Sequence, residues 1–242
     1  MRIDGRKADE LREVKFTPNF LRFAEGSVLV EWGKNKIICS ATVEQRVPPY
    51  LVGSGSGWVT AEYAMLPRSA KQRIQRDNAR SGANGRSVEI QRLIGRSLRS
   101  VVNLTAFGER TILLDCDVIE SDGGTRTASI TGSFVALALA IERLREDQQI
   151  GRDAKILKDY LAAVSVGVVE GKSVLDLNYL EDSSAHTDMN VVLTGRGNFV
   201  EIQGTAEKDA FPQESLDQML AMARGGIATL VEKQRAILGL SL

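Results

Sequence analysis

The order of strand-like and helix-like segments predicts an α+β fold. Three observations lead there. Runs rich in β-formers crowd residues 27–65. Two helical segments, 89–102 and 129–145, follow with a single strand between them. Strands then return after residue 160, and a long helix closes the chain. A regular strand–helix alternation, the mark of a parallel doubly wound sheet, is absent. The chain has 242 residues, 43% of them hydrophobic, enough to bury one large core or two smaller ones packed closely.

Each element has its own signal. Residues 27–32 (SVLVEW) alternate apolar and polar, and residues 36–43 (KIICSATV) are β-rich, with the turn Gly33-Lys34-Asn35 between them. Pro48-Pro49 and the run Gly53-Ser54-Gly55-Ser56-Gly57 mark a loop before a third strand at 57–65. In 89–102, Ile90, Leu93, Ile94, Leu98 and Val101 recur at helical spacing, and the opposite face carries Arg92, Arg96 and Arg99. Residues 111–119 (TILLDCDVI) form a strand with Leu114, Cys116 and Val118 on one face and Asp115 and Asp117 on the other. The segment 129–145 is too densely apolar for a surface helix and is expected to be buried. Residues 146–160 are polar and are expected to connect the two parts with some helix. Strands are expected at 162–169, 173–177, 189–194 and 198–204. The last helix starts near Pro212, a residue suited to a first helical turn.

Composition excludes several classes. Formal net charge is zero, so any polyanion site must be a local patch. Two cysteines, Cys39 and Cys116, lie in apolar strand-like runs and form neither a disulfide framework nor a zinc set. They point to a reducing, cytoplasmic setting. The N-terminal stretch is charged and lacks a signal peptide's apolar core. No uninterrupted apolar run of roughly 20 residues marks a membrane span.

Three segments carry chemistry. The loop Gly123-Gly124-Thr125-Arg126-Thr127 falls between a strand and a helix. Glycines there can aim amide groups at an anion, and the helix N-terminus adds unpaired N–H donors. Thr125 offers a hydroxyl and Arg126 a planar fork for phosphate oxygens. The same residues also suit a tight turn with a threonine cap. The stretch 68–99 holds nine basic residues against two acids, Asp77 and Glu89. Its polar first part, 68–85, is expected to be a long mobile loop, either simply solvated or an arm that grips polyphosphate without reading bases. Finally, Asp182 and Asp188 flank an acidic segment placed between two strands. If those strands pair as a hairpin, the carboxylates come within about 5 Å and repel unless a cation lies between them. Mg²⁺ suits such a pair; a solvated acidic turn is the alternative. His186, the only histidine, is expected to be incidental.

Several long strings resemble the ribonuclease PH family of phosphorolytic exoribonucleases, which finish tRNA 3′ ends. They include Arg2-Ile3-Asp4-Gly5-Arg6, GWVTAEY from Gly57, EIQRLIGRSLR from Glu89, Asp115-Cys116-Asp117-Val118, SDGGTRTASITG, Asp188-Met189-Asn190-Val191-Val192 and Gln203-Gly204-Thr205-Ala206-Glu207. The resemblance implies two related α+β halves, 1–150 and 151–242, the first similar to a ribosomal-protein domain. It implies that Arg86, Gly124, Thr125 and Arg126 bind inorganic phosphate as co-substrate. Asp182 and Asp188 would be catalytic and hold Mg²⁺, and Arg68, Arg73 and Arg76 would guide RNA. The implied partners are tRNA precursors and five further copies of the chain, as a homohexamer, with no membrane. An alternative within the fold is a non-catalytic RNA-binding subunit of an exosome-like ring. The chain departs from the family pattern at Gly33-Lys34-Asn35, at Ser69-Ala70 and at Ser87.

Overall fold

The computed structural model describes residues 2–76, 84–207, 209–240 and 242. Residues 77–83 of the expected loop, Asp77 and Arg80 among them, lie outside the described residues. The first sheet contains β1 (Val14–Pro18), β2 (Gly26–Trp32), β3 (Asn35–Glu44), β4 (Trp58–Met65) and β5 (Thr111–Glu120), in the order β1-β2-β3-β5-β4. β2 and β3 form the expected hairpin, closing on the Trp32/Asn35 pair with Gly33 at φ +58°. β4 runs parallel to β5 because α1 (Gly85–Ser100) lies in the crossover between them. The edge strand β1 has no counterpart in the sequence reading. Five residues of mixed polarity give too short a pattern, and it exists by pairing with β2.

The second sheet contains β6 (Leu161–Val169), β7 (Lys172–Leu175), β8 (Thr187–Thr194) and β9 (Phe199–Ala206), all antiparallel, in the order β7-β6-β8-β9. The long helix α3 (Thr125–Glu146) lies between the sheets, in contact with β2 and β3 on one side and β6 on the other. Its approach to the first sheet is close: a Cβ on Gly132 would lie 2.4 Å from Val30 Cγ2 and 2.9 Å from Cys39 Sγ. Towards the second sheet, the Thr131 hydroxyl accepts the Ala163 N–H at 3.0 Å. By length and mean hydropathy α3 could cross a membrane. A helix covered on two sides needs that same all-round apolar surface. One continuous core therefore runs through both sheets. A last helix, α5 (Gln213–Leu238), covers β6 and β7, and its buried Gln234 donates to the carbonyls of Thr131 and Leu161.

The connection 146–160 differs from expectation. Beyond the end of α3 it has no helix. It is pinned instead by a Leu157–Val102 bridge and by the Asn103 N–H donating to the Ile156 carbonyl at 2.7 Å, with Ile156 and Leu157 buried. A second short helix, α2 (Leu104–Phe107), follows α1.

Candidate active site

The N-termini of α1 and α3 and the start of β8 converge on a cleft of about 700 Å³. Arg86, Glu89, Arg126, Asp182, Asp188 and Gln203 line it. Arg86 is the second residue of α1, whose start is set by the Asn84 side chain accepting the Arg86 N–H at 3.2 Å.

The glycine loop enters α3 with Gly123 and Gly124 both left-handed, at φ +77° and +72°. No side chain caps this helix, so the threonine cap of the alternative reading does not form. Buried partners hold the loop from behind. Arg12 donates to the carbonyls of Asp122 at 2.5 Å and Gly123 at 3.2 Å. Asn35 donates to the Gly123 carbonyl at 2.7 Å and accepts the Asp122 N–H at 2.6 Å. In a trans peptide the N–H opposes the carbonyl, so the amides of Gly123 and Gly124 point away from Arg12 and Asn35. Arg12 itself is clamped by buried Asp176, at 2.6 Å between Nη2 and Oδ1, and Asp176 also accepts from Trp32 Nε1 at 2.9 Å. Burial pushes the Asp176 carboxyl up, but the charge and hydrogen bonds of Arg12 outweigh it and hold the group below its ordinary value. Thr125 is buried, and its hydroxyl bonds the Tyr63 hydroxyl at 2.8 Å. Arg126 reaches across the cleft: its Nη1 donates to Gln203 Oε1 at 2.5 Å and lies 3.6 Å from Glu89 Oε2. Gln203 in turn donates to Glu89 at 3.2 Å.

The carboxylates arrive differently from the expected hairpin. β7 and β8 flank β6 and do not pair with each other. The segment between them folds as α4 (Tyr179–Ser184), started by a reciprocal capping box of Asn178 and Glu181. Asp182 sits on that helix, and Asp188 is the second residue of β8. Six residues are too few to show helical periodicity, so this helix leaves no mark in the sequence pattern. Asp188 pairs across strands with Thr205, and Asn190 with Gln203. All four line the cleft. Concave surroundings raise the Asp182 carboxyl above its ordinary value and the Asp188 charge adds to this; Arg86 and Arg126 oppose it. Among the described residues, neither carboxylate has a side-chain hydrogen bond or ion pair, and no cluster of three or more His, Cys, Asp or Glu groups could hold a metal. Two free, mutually repelling carboxylates at an open cleft fit a Mg²⁺ that keeps waters and takes further oxygens from substrate phosphates.

Arg68, Arg73 and Arg76 are exposed on the segment leaving β4 and do not line the cleft. The base of that segment is fixed: the Ser69 carbonyl accepts both the N–H (2.8 Å) and the hydroxyl (3.0 Å) of Ser121, just before the glycine loop. His186 is exposed and lends only its backbone to the sheet edge. The sequence reading assigned no role to Arg12, Trp32, Asn35, Tyr63, Asp176 or Gln203. For Asp176 the one signal is a lone charge within the apolar run SVLDLN.

Known proteins are similar to this chain in sequence and in fold. The models of the 3′ exoribonuclease family match its domain 1 over residues 10–141 and its domain 2 over residues 159–226. Ribonuclease PH of Bacillus cytotoxicus is 55% identical over 240 residues, 99% of this chain and 97% of the relative. That of Bacillus mycoides is 56% identical over the same shares. Among solved structures, the Archaeoglobus fulgidus exosome with RNA bound to the active site aligns with a TM-score of 0.80 at 23% identity, over 96% of this chain and 92% of that one. Rice (Oryza sativa) Rrp46 aligns at 0.77 and 19% identity, over 98% and 100%. At such identities these structures speak for the fold alone.

Proposed function

From the premise that the chain belongs to the 3′ exoribonuclease family, we infer that it is a phosphate-dependent 3′→5′ exoribonuclease acting on the 3′ ends of tRNA precursors. One observation carries the reading. A single cleft sets two helix N-termini with Arg86 and Arg126 against the carboxylates Asp182 and Asp188.

In this reading inorganic phosphate sits at the glycine loop. The loop amides and the Arg86 and Arg126 guanidinium groups offset its charge and orient it for in-line attack. A phosphate oxygen forms a bond to the terminal phosphorus of the RNA while the bond to the 3′-oxygen breaks. The products are a nucleoside 5′-diphosphate and an RNA one nucleotide shorter with a free 3′-hydroxyl. Asp182 and Asp188 would hold Mg²⁺, which when bound neutralises charge on the phosphoryl and leaving oxygens. Gln203 and Glu89 hold the Arg126 fork across the cleft. Arg68, Arg73 and Arg76 would engage the RNA backbone upstream of the reacting end.

We also place the chain in a homohexamer in the cytoplasm. Exposed apolar side chains such as Phe23, Tyr50 and Val52 support an assembly that covers them, and light scattering tests it. The non-catalytic ring-subunit alternative is disfavoured because both carboxylates and both phosphate-facing arginines are present. The deciding assay supplies RNA with and without phosphate. Diphosphate release that requires phosphate is expected, together with polymerisation from nucleoside diphosphates. Phosphate-independent release of monophosphates would refute the reading.

A further inference from the structure

Helix α4 carries one of the two cleft carboxylates yet has only six residues, Tyr179–Ser184. A helix that short does not hold itself. Tyr179, Leu180 and Ser183 face solvent, so packing on that side does not hold it either. What fixes it is its one buried residue, Glu181, next to Asp182.

Glu181 is gripped from the far end of the chain. Arg2 Nε donates to Glu181 Oε1 at 2.7 Å and Arg2 Nη2 to Oε2 at 2.6 Å, a two-pronged fork with side chains only 6% and 3% exposed. The same guanidinium donates to the Leu175 carbonyl at 2.7 Å and to the Asp176 carbonyl at 3.0 Å, the backbone that leads into α4. Arg6 supports the cluster, 3.5 Å from Glu181 and 3.3 Å from Asp176. Glu181 Oε2 also accepts the Asn178 N–H at 3.1 Å and completes the capping box. Asp188, by contrast, is held in β8 between β6 and β9. Of the two carboxylates, Asp182 is the one whose place depends on side-chain contacts.

We propose that Arg2 is a positioning residue for the cation site: through Glu181 and the carbonyls of Leu175 and Asp176 it sets Asp182 opposite Asp188. The proposal rests on the reading of Asp182 and Asp188 as the cation ligands. It separates the two half-sites. Loosening α4 weakens the cation site and leaves Arg86 and Arg126, which sit on other helices, able to bind phosphate.

The test uses the double variant Arg2→Met/Glu181→Gln. It removes both charges of the fork together, Arg6 keeps Asp4 and Asp176 as partners, and Gln still reaches the Asn178 N–H. Mn²⁺ binding is followed by electron paramagnetic resonance without RNA, and phosphate binding by equilibrium dialysis. In the folded variant, Mn²⁺ affinity is expected to fall roughly tenfold or more, the usual cost of losing a group that orients a metal ligand, with phosphate affinity kept within about twofold. Unchanged Mn²⁺ affinity overturns the proposal, and so does an equal loss of both affinities. Should the double variant fail to fold, Arg2→Lys decides. It keeps the charge and loses the fork, and is expected to lower Mn²⁺ affinity selectively; unchanged affinity there overturns the proposal too. Asp188→Ala separates the two ideas. If it binds Mn²⁺ normally, the cation reading itself fails. If it loses Mn²⁺ while the double variant retains it, only the role of Arg2 fails.

Discussion

Replacing Gly123 with alanine strikes the contact between the phosphate loop and the helix that carries Asp182. The residue is left-handed at φ +77°, a conformation that costs a side-chain-bearing residue about 1–2 kcal/mol. The new Cβ would lie 2.7 Å from Asn178 C and Tyr179 N and 2.9 Å from Leu177 O. That is about 0.7 Å short of ordinary contact at 3.4 Å, and every neighbour is backbone. Relief requires moving the start of α4, at a further cost of about 1–3 kcal/mol for overpacking. The expected destabilisation is therefore about 2–5 kcal/mol. Displacing Asp182 by most of an ångström should slow turnover by about 10²-fold. Gly124→Ala supplies the contrast. Its φ is +72°, but its nearest neighbour would be the tip of the Arg12 side chain at 3.2 Å, so only the backbone strain of about 1–2 kcal/mol is expected. Urea unfolding and phosphate-dependent diphosphate release measure both quantities. If Gly123→Ala is as stable as Gly124→Ala, or turns over at the unsubstituted rate, contact with α4 does not place the carboxylate.

Three further outcomes are expected. Asp188→Ala should lower turnover by roughly 10²-fold or more while RNA affinity, read by filter binding, stays near normal; near-normal turnover would remove Asp188 from the chemistry. Neutralising Arg73 and Arg76 should weaken RNA binding and flatten its log–log salt dependence by about one unit per lost phosphate contact. An unchanged slope would take them off the RNA path. Asp176→Ala leaves buried Arg12 and Trp32 Nε1 without their partner and should cost about 3–5 kcal/mol near neutral pH. Because the folded-state carboxyl lies below 3.8, its contribution is fully present above that value and is lost as pH falls through the lowered one. The stability gap to the unsubstituted chain should thus be constant near neutrality and narrow in acid. A gap that ignores acid would show that Asp176 is not the charged hub described.

The sequence alone carried the α+β class, most strands, the three long helices and the types of residue at the site, because periods of two and 3.6 and a glycine loop before a helix are local signals. The strings around Arg126 and Asp188, with EIQRLIGRSLR from Glu89, also carried the family. It did not carry β1, the helix α4 or the unpaired state of β7 and β8, and the hairpin it allowed for Asp182 and Asp188 does not form. It gave no role to Arg12, Asn35, Asp176 or Arg2. The work of these residues lies in partners 88 to 179 positions away, such as Asn35 with Gly123 and Arg2 with Glu181. Such pairings have no period and no spacing to detect. They arise only when α3 draws the two sheets together, and burial then makes each unmatched charge or carbonyl costly enough to demand its partner. The phosphate loop was therefore legible as a string, whereas its direction and its distance from the carboxylates belong to the tertiary structure.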